Sequence, residues 1–393
     1  MLEKRICVVT TTRADYGILH PLIKELEHRA DIRLHLAVTG THLSGEFGYT
    51  IDEIKLESEN SILHKLPILD DRDSPEGISN TVANAITKFA DFFAKEPFDL
   101  VILLGDRTET LGVAIAAMNE RLPIGHIHGG ERTEGAVDEC VRHAITKMSQ
   151  LHFPAAEEYR NRIIQMGEKP ERVFNVGSLG VENVMHTQLL SQKEIRKRLG
   201  FSSEDHYLVI TYHPVTLEEN TVEENMSSLL QVMKEHKEYR YLITKANSDV
   251  GGRRINAIWE KFCRENTESR LVDSLGMVGY LSAVNDCDFV VGNSSSGLIE
   301  VPSFGKPTVN IGDRQRGRIM AESVINCEAS YPAIEKAMNE AAEAVSEKRF
   351  RKGKNPYGDG TASKKIVKVI IETLEQGPIP LKKEFYGGEK CEQ

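Results

Sequence analysis

Titratable side chains follow two neighbouring apolar segments of the 393-residue sequence, in positions suited to proton transfer. Asp106 and Arg107 come just after the apolar run 100–104. The next apolar run ends in three further titratable residues, His126, His128 and Glu131. Alternation along a strand would put the two histidines on one face. An acid beside a base is often only a structural ion pair, but two titratable clusters at neighbouring strand ends favour an active site.

A helical spacing relates the next charged residues, Asp138, Arg142 and His143. Asp138 and Arg142 are four residues apart at the start of a predicted helix, so they share a face and can form an ion pair. Alone, this pattern is ordinary for a helix surface. A metal site built on the histidines is disfavoured, because Gly129 and Gly130 interrupt the cluster and no acid and histidine show the spacing of a zinc motif.

Two strand-to-helix turns carry residues that suit phosphate groups. The turn 11–17 contains Arg13, whose guanidinium would add to the N–H groups and dipole of the helix start. In the turn 292–297, small residues let an anion approach the backbone and the hydroxyls add donors; they include Ser294, Ser295 and Gly297. The alternatives are a capped helix with a solvated arginine, and a turn that is merely rich in serine and glycine.

Two further residues fit a bound diphosphate and its ribose. Glu300 lies about one helical turn beyond the serine turn, where its carboxylate could accept both ribose hydroxyls. His213 precedes Pro214 at the end of another predicted strand, and a histidine there is suited to assist a departing diphosphate. The alternative for His213 is simple packing.

The elements that must position these residues alternate between strand and helix. Short β-branched runs predict strands at 6–10, 34–39, 100–104, 124–128 and 151–154, and again at 207–211, 239–244, 288–291 and 308–311. Amphipathic segments predict helices at 81–94, 139–148, 192–199 and 363–374. This βαβα pattern predicts an α/β protein with doubly wound parallel sheets.

The pattern breaks and resumes once, which predicts two Rossmann-like domains facing across a cleft. We expect an N-terminal domain with the acids at 1–178 and a C-terminal, nucleotide-binding domain at 179–362. The segment 363–393 would hold a helix that packs back on the N-terminal domain, then a mixed-charge tail that serves only solubility. In open α/β sheets ligands bind beyond the carboxyl ends of the strands, which is where the candidate residues cluster.

Composition excludes several function classes. A formal net charge of -10 disfavours general binding to nucleic acid or to an anionic membrane. No apolar run approaches the ~20 residues of a membrane span. The six cysteines are far apart, without CxxC pairs, as expected of reduced thiols in a cytoplasmic protein; they are Cys7, Cys140, Cys263, Cys287, Cys327 and Cys391.

Taken together, the motifs resemble those of the hydrolysing UDP-N-acetylglucosamine 2-epimerases of sialic acid synthesis. The motifs that carry this resemblance lie at 13–16, 105–107, 126–131, 145–148, 213–214, 292–297 and 312–315. The resemblance covers most of the chain in order. It implies a glycosyltransferase-B-like fold that converts UDP-GlcNAc and water to N-acetylmannosamine (ManNAc) and UDP, without a metal, nicotinamide or other cofactor. We also expect a homodimer or homotetramer.

The resemblance also implies roles for individual residues. Asp106 and Asp138 would be the catalytic acids and bases, Arg142 would orient the site and His213 would assist departure of the diphosphate. The phosphates would be held by Arg13, Ser294 and Ser295, the ribose by Glu300, and the nucleotide side supported by Arg107 and Arg314. Some family members have a glutamate, taken as a proton-transfer residue, where this chain has His128. Either His128, which we favour, or Glu131 would replace it.

Other readings stay open at this point. Closely similar enzymes act on UDP-N,N'-diacetylbacillosamine in legionaminic acid synthesis, and the stretch 73–79 resembles that branch as well. The same fold supports glycosyltransferases and non-hydrolysing 2-epimerases, and fold alone does not separate them. A nucleotide-sugar sensor without turnover is disfavoured by the number of titratable groups.

Overall fold

The computed structural model describes residues 3–58, 60–72, 74–134, 137–215, 222–246, 251–353 and 355–387. Asp73, the first residue of the stretch 73–79, and Cys391 lie outside these ranges. Two compact units divide the chain: unit 1 is Met1–Glu131, Asp138–Asn183 and Tyr357–Gln393, and unit 2 is Arg132–Val137 and Val184–Pro356. The boundaries expected from the sequence, after residues 178 and 362, compare with breaks after Asn183 and Pro356.

Unit 1 is built on six parallel strands. They are β1 (Lys4–Thr10), β2 (Ile32–Thr39), β3 (Ile62–Leu66), β4 (Leu100–Leu104), β5 (Ile124–Ile127) and β6 (Leu151–Phe153), in the order β3-β2-β1-β4-β5-β6. The central strands are continuously apolar because helices cover both faces of the sheet. The helices are α1 (Arg13–Glu27), α2 (Ile51–Glu57), α3 (Pro75–Lys95), α4 (Thr108–Asn119), α5 (Asp138–Met148), α6 (Glu157–Gln165) and, from the chain end, α14 (Ala362–Glu375).

Each face of the unit 1 sheet has its own apolar core. Leu19 and Leu22 of α1 pack on one face with Ile366 and Ile370 of α14, so the last helix belongs to unit 1. On the other face the core is formed by α3 and α4 with side chains such as Phe89. Helix α7 (Leu179–His186) carries the chain across the boundary between the units.

Unit 2 repeats the same strand order. Its strands are β7 (His206–Thr211), β8 (Tyr239–Thr244), β9 (Arg270–Val272), β10 (Val290–Gly292), β11 (Thr308–Ile311) and β12 (Val324–Cys327), all paired in parallel in the order β12-β11-β10-β7-β8-β9. Its helices are α8 (Gln192–Leu199), α9 (Val222–Glu235), α10 (Gly252–Glu265), α11 (Gly276–Asp286), α12 (Ser296–Ile299) and α13 (Tyr331–Ser346). The predicted α/β class and doubly wound sheets are therefore confirmed.

Both sheets have a topological switch point between their first and fourth strands. In unit 1 it lies between β1 and β4, and in unit 2 between β7 and β10. The connections leave in opposite directions from these strand pairs, which opens a crevice at their carboxyl ends. The candidate residues at 11–17, 105–107, 212–214 and 292–297 all follow these four strands.

Some predictions about individual elements differ from the structure. The outer strands β3, β9 and β12 were not predicted, because they are short and half-buried and lack an apolar run. The strand predicted at 288–291 is β10, shifted to Val290–Gly292. The tail also does more than remain solvated: the Lys383 amine pairs with buried Glu168 at 2.7 Å, and the Tyr386 N–H donates to the Gly167 carbonyl at 2.9 Å.

Among the residues that the structure describes, no helix is both long and apolar enough to span a membrane. The cysteines that the structure describes, which exclude Cys391, are free thiols.

Candidate functional site

The turn after β1 starts helix α1 and places an acid at the switch point of unit 1. Thr12 caps the helix by accepting a hydrogen bond from the Asp15 N–H at 3.2 Å, and the Thr11 hydroxyl donates to the Asp15 carboxylate. Burial raises the pKa of Asp15, while the nearby Arg107 guanidinium opposes that shift. The turns after β1 and β4 are thus coupled electrostatically.

Arg13, expected to hold phosphate, lies at the first position of α1. Its guanidinium pairs with the more exposed Glu53 carboxylate at 2.9 Å. The partly exposed Arg107, expected on the nucleotide side, pairs with buried Glu109 at 2.7 Å. Both guanidinium groups are therefore held by carboxylates of their own unit.

The centre of the unit 1 site is the guanidinium of Arg142, which is completely buried. Its Nε donates to Asp106 Oδ2 at 2.9 Å, and its Nη2 contacts the same oxygen. Nη1 donates to Glu139 Oε2 at 2.9 Å and to the Glu131 carbonyl at 3.1 Å. Burying a cation costs several kcal/mol of folding free energy unless the charge is paired and its N–H groups are hydrogen-bonded. The Arg142 guanidinium is paired with carboxylates and is also hydrogen-bonded. The arrangement fixes Asp106 rigidly at the end of β4.

Sequence reasoning expected Arg142 to pair with Asp138, four residues earlier. Asp138 is the half-buried first residue of α5, and on this helix Arg142 pairs with the carboxylate of Glu139, three residues earlier. Glu139 also contacts His143 at 3.1 Å. The sequence search missed Glu139, although its spacing of three and four residues from Arg142 and His143 is a signal that could have found it.

His126 supports this cluster as a neutral imidazole. It is fully buried, and burial lowers its pKa to about 3. Its Nε2 lies 2.7 Å from the Gly105 carbonyl, which can only accept, so Nε2 carries the proton. Its Nδ1 lies 3.2 Å from the Thr146 hydroxyl on α5. His126 therefore holds the turn before Asp106 against the helix of Arg142.

His128 does not continue the strand alternation. Strand β5 ends at Ile127, and His128 has φ 62°, a left-handed backbone conformation that residues other than glycine rarely adopt. The prediction that His126 and His128 lie on one face assumed a strand through residue 128, but the strand ends one residue before it. The His128 Nδ1 lies 3.8 Å from the buried Glu131 carboxylate, so the two alternative bases lie side by side.

In unit 2 the switch point is organised by Asn293, which the sequence search did not select. Its side-chain amide accepts from the His213 N–H at 2.7 Å and donates to the His213 carbonyl at 2.8 Å. Its own carbonyl accepts from Gln315 Nε2 at 2.8 Å and from Arg314 Nη1 at 3.2 Å. His213 and Arg314, two predicted residues, are thereby brought to one edge.

The serine turn forms a hydroxyl chain that ends on Glu300. The Tyr280 hydroxyl donates to Ser296 Oγ at 2.8 Å, and the Ser296 hydroxyl donates to the Glu300 carboxylate. Burial raises the pKa of Glu300 to about 7. Ser294 and Ser295 are half-buried at the start of this turn, and Ser294 Oγ accepts from the Ser296 N–H at 3.4 Å.

Two glycines of this turn are required by close packing. Gly292 has φ 142°, and a Cβ there would lie 1.9 Å from the Thr211 carbonyl oxygen of β7. A Cβ on Gly297, expected to touch the ligand, would lie 2.7 Å from Thr308 of β11. The Gly297 N–H is used within the turn, where it donates to the Ser294 carbonyl at 3.1 Å. Gly297 therefore shapes the turn through packing.

Comparisons with known proteins agree on one family. A family model described as UDP-N-acetylglucosamine 2-epimerase matches residues 24–371. The chain is 38% identical to the GDP/UDP-N,N'-diacetylbacillosamine 2-epimerase (hydrolyzing) of Campylobacter jejuni, over 89% of this chain and 90% of that protein. It is 37% identical to polysialic acid biosynthesis protein P7 of Escherichia coli, over 99% and 98% of the two chains.

The fold is shared with solved structures at lower identity. The crystal structure of the Neisseria meningitidis UDP-GlcNAc 2-epimerase bound to UDP-GlcNAc superposes with a TM-score of 0.78 at 20% identity, covering 94% of this chain and 100% of that one. The predicted glycosyltransferase-B-like fold class is confirmed.

Proposed function

Because the chain belongs to the UDP-N-acetylglucosamine 2-epimerase family, we propose that it is the hydrolysing enzyme that converts UDP-GlcNAc and water to ManNAc and UDP. The observation that carries the proposal is the buried Arg142 guanidinium, which fixes Asp106 at the switch point of unit 1. A carboxylate held there is suited to general acid–base chemistry on a sugar.

The edge of unit 2 would bind the nucleotide. Ser294 and Ser295 offer hydroxyl donors to the diphosphate, and Arg314 adds a positive charge. Glu300 would accept the ribose hydroxyls, since its partly buried carboxylate meets fewer competing water molecules than one on the surface. In unit 1, Arg13 and Arg107 would add positive charge, although each is already paired with a glutamate.

The first chemical stage would be elimination. A base removes the proton from C2 as the C1–O bond to UDP breaks, and the electrons of the C2–H bond form the C1–C2 double bond of a glycal. The C2 proton is weakly acidic unless positive charge develops at C1 at the same time. Carboxylates such as Asp106 and Asp138 would stabilise that charge, and His213 would assist the departing diphosphate.

The second stage would be hydration. Water adds its oxygen to C1 of the glycal, and a proton returns to C2 on the face opposite to the one from which it left. The centre at C2 is inverted, and because UDP has already been released the reaction runs in one direction. The two proton transfers need two groups on opposite faces of the sugar, which is the reason to involve more than one acid.

We assign the base at C2 to His128 and its support to Glu131. The 3.8 Å separation between His128 Nδ1 and the Glu131 carboxylate would let the carboxylate stabilise the imidazolium formed by proton abstraction. The left-handed backbone conformation of His128 is consistent with this role, because strained backbone conformations are found where a functional side chain must be held in a particular orientation. The cytoplasmic location and the homodimer or homotetramer stay predictions.

A second candidate substrate is UDP-N,N'-diacetylbacillosamine. The observation that favours it is the 38% identity to the Campylobacter jejuni hydrolysing enzyme named for that sugar. The stages would be the same, because both sugars carry an acetamido group at C2. They differ at C4 and C6, so the choice depends on pocket contacts away from the reacting carbons.

The experiment is incubation of the purified protein with each UDP-sugar alone, with free UDP and the sugar product followed by NMR. UDP and ManNAc from UDP-GlcNAc are the expected products. At least tenfold higher kcat/KM with the bacillosamine nucleotide would move the assignment to that sugar. Turnover only after an acceptor is added would exclude the hydrolase, and UDP-ManNAc as product would indicate the non-hydrolysing reaction.

A further inference from the structure

The side chain of Asn293 continues the β-ladder at the point where the backbone of β7 leaves it. Strands β7 and β10 are paired through Thr211 and Gly292. The Asn293 N–H still donates to the Thr211 carbonyl at 3.1 Å. Beyond that point its carboxamide takes over: it accepts from the His213 N–H at 2.7 Å and donates to the His213 carbonyl at 2.8 Å. The amide therefore holds both backbone polar groups of His213.

The contacts leave this clamp little freedom. Asn293 is 1% exposed, and only one orientation of its amide satisfies the donor and the acceptor of His213 together. Pro214 restricts the backbone of His213 further, since a residue before proline is held near extended conformations. On the other side, the Asn293 carbonyl accepts from the side chains of Gln315 and Arg314. Three strand ends are joined at this residue.

We infer that Asn293 is a positioning residue that acts through His213 on departure of the diphosphate. The inference rests on the proposed function. Asn293 needs no contact with substrate for this role, because its side-chain bonds end on the backbone of His213. Its loss would leave His213 chemically intact but free to move, and a displacement of about 1 Å in a reacting geometry can cost roughly 100-fold in rate.

A matched control exists in the same unit. Asn256 of α10 makes the same pair of bonds to Ala246 after β8: its carboxamide accepts from the Ala246 N–H at 2.8 Å and donates to the Ala246 carbonyl at 3.4 Å. Removing either asparagine side chain therefore deletes one backbone clamp. Only the clamp of Asn293 ends on a residue with a proposed chemical role.

The test is a pair of double-mutant cycles, Asn293→Ala with His213→Ala and Asn256→Ala with His213→Ala. We expect N293A to lower kcat/KM about 100-fold in the wild-type background. In the H213A background it should have less than about a twofold effect, because the residue it positions is gone. N256A should change kcat/KM by the same factor in both backgrounds. Urea unfolding of all variants measures what each clamp contributes to stability.

The inference is overturned if the losses in kcat/KM caused by N293A and H213A multiply in the double variant. It is also overturned if either single variant has the wild-type rate. If N293A does not fold, Asn293→Asp enters the same cycle, since a carboxylate can accept from the His213 N–H but cannot donate to its carbonyl. An inactive wild-type protein would count against the proposed function instead. In that case the UDP dissociation constant of the same variants, measured by calorimetry, replaces kcat/KM in the cycle. We again expect the two effects to be non-additive, and additive effects would overturn the inference.

Discussion

The carboxyl edges of the two sheets differ in chemistry although the sheets have the same strand order. In unit 1 the edge holds a buried guanidinium between two carboxylates, Arg142 with Asp106 and Glu139. In unit 2 the corresponding edge is held by an amide and a hydroxyl chain, centred on Asn293 and Ser296. The repeated sheet thus supplies the positions, and the residues placed there decide what each edge does.

The partly exposed carboxylates at the two edges, Asp106 and Glu300, also differ in their partners. Asp106 has a cationic partner within its own unit, at 2.9 Å from Arg142 Nε. Glu300 accepts a hydrogen bond from the Ser296 hydroxyl, and burial raises the pKa of its carboxyl to about 7. Near neutral pH the edge of unit 2 therefore carries less negative charge than its composition implies.

The largest effect is expected from Asp106→Asn, which keeps the shape but removes the charge and the proton acceptor. Turnover of the UDP-sugar should fall roughly 10³-fold, within the range for loss of a general acid or base. UDP affinity should change by less than about twofold, because Asp106 is not among the residues assigned to UDP, most of which lie in unit 2. Steady-state kinetics and calorimetry measure the two. Full activity would remove Asp106 from the chemistry, and an equal loss of UDP affinity would break the division between the edges.

Arg142→Met should lower the free energy of unfolding by about 1–3 kcal/mol, because the partly exposed carboxylates of Asp106 and Glu139 and the Glu131 carbonyl all lose their guanidinium donor. The matched control is Arg29→Met, which breaks a partly exposed pair with Asp31 in the same unit and should cost less than about 1 kcal/mol. Urea unfolding compares the two. Equal destabilisation would mean that burial of the Arg142 network adds no stability.

The smallest effect concerns Glu300 and pH. Since its pKa is raised to about 7, the carboxylate ionises as pH rises through that value. An ionised carboxylate accepts ribose hydroxyls more strongly, so UDP binding should tighten up to about tenfold as pH rises from below to above 7. The UDP phosphate also titrates, and Glu300→Gln separates the two contributions. The same pH dependence in E300Q would exclude a ribose role for the ionised Glu300.

Much of the scaffold could be predicted because its central strands are continuously apolar. The bounds predicted for β4, β8 and β11 match the structure to the residue. The outer strands could not be predicted, since half-buried segments such as β9 have no such run. Strand ends then placed Asp106 and His213 correctly beside the two switch points.

Residues whose role depends on a distant partner could not be predicted. Asn293 stands in a run of small polar residues, and its importance appears only from its bonds to His213, 80 positions away. Arg142 was selected, but its bond to Asp106 spans 36 positions and has no local signal. Local patterns therefore identified which residues reach an edge, and tertiary packing decided which of them are joined.

In the proposed mechanism, unit 1 carries proton transfer at C2 while unit 2 provides most of the contacts to UDP. The most direct test is turnover of the UDP-sugar in deuterated water by the wild type and by Ser295→Ala, with deuterium at C2 of the product measured by NMR. We predict one deuterium at C2 for each UDP released in both proteins. The S295A variant should differ only in a higher KM for the UDP-sugar. Product without deuterium at C2 would contradict proton exchange with solvent, and an altered deuterium content in S295A would contradict the assignment of the chemistry to unit 1.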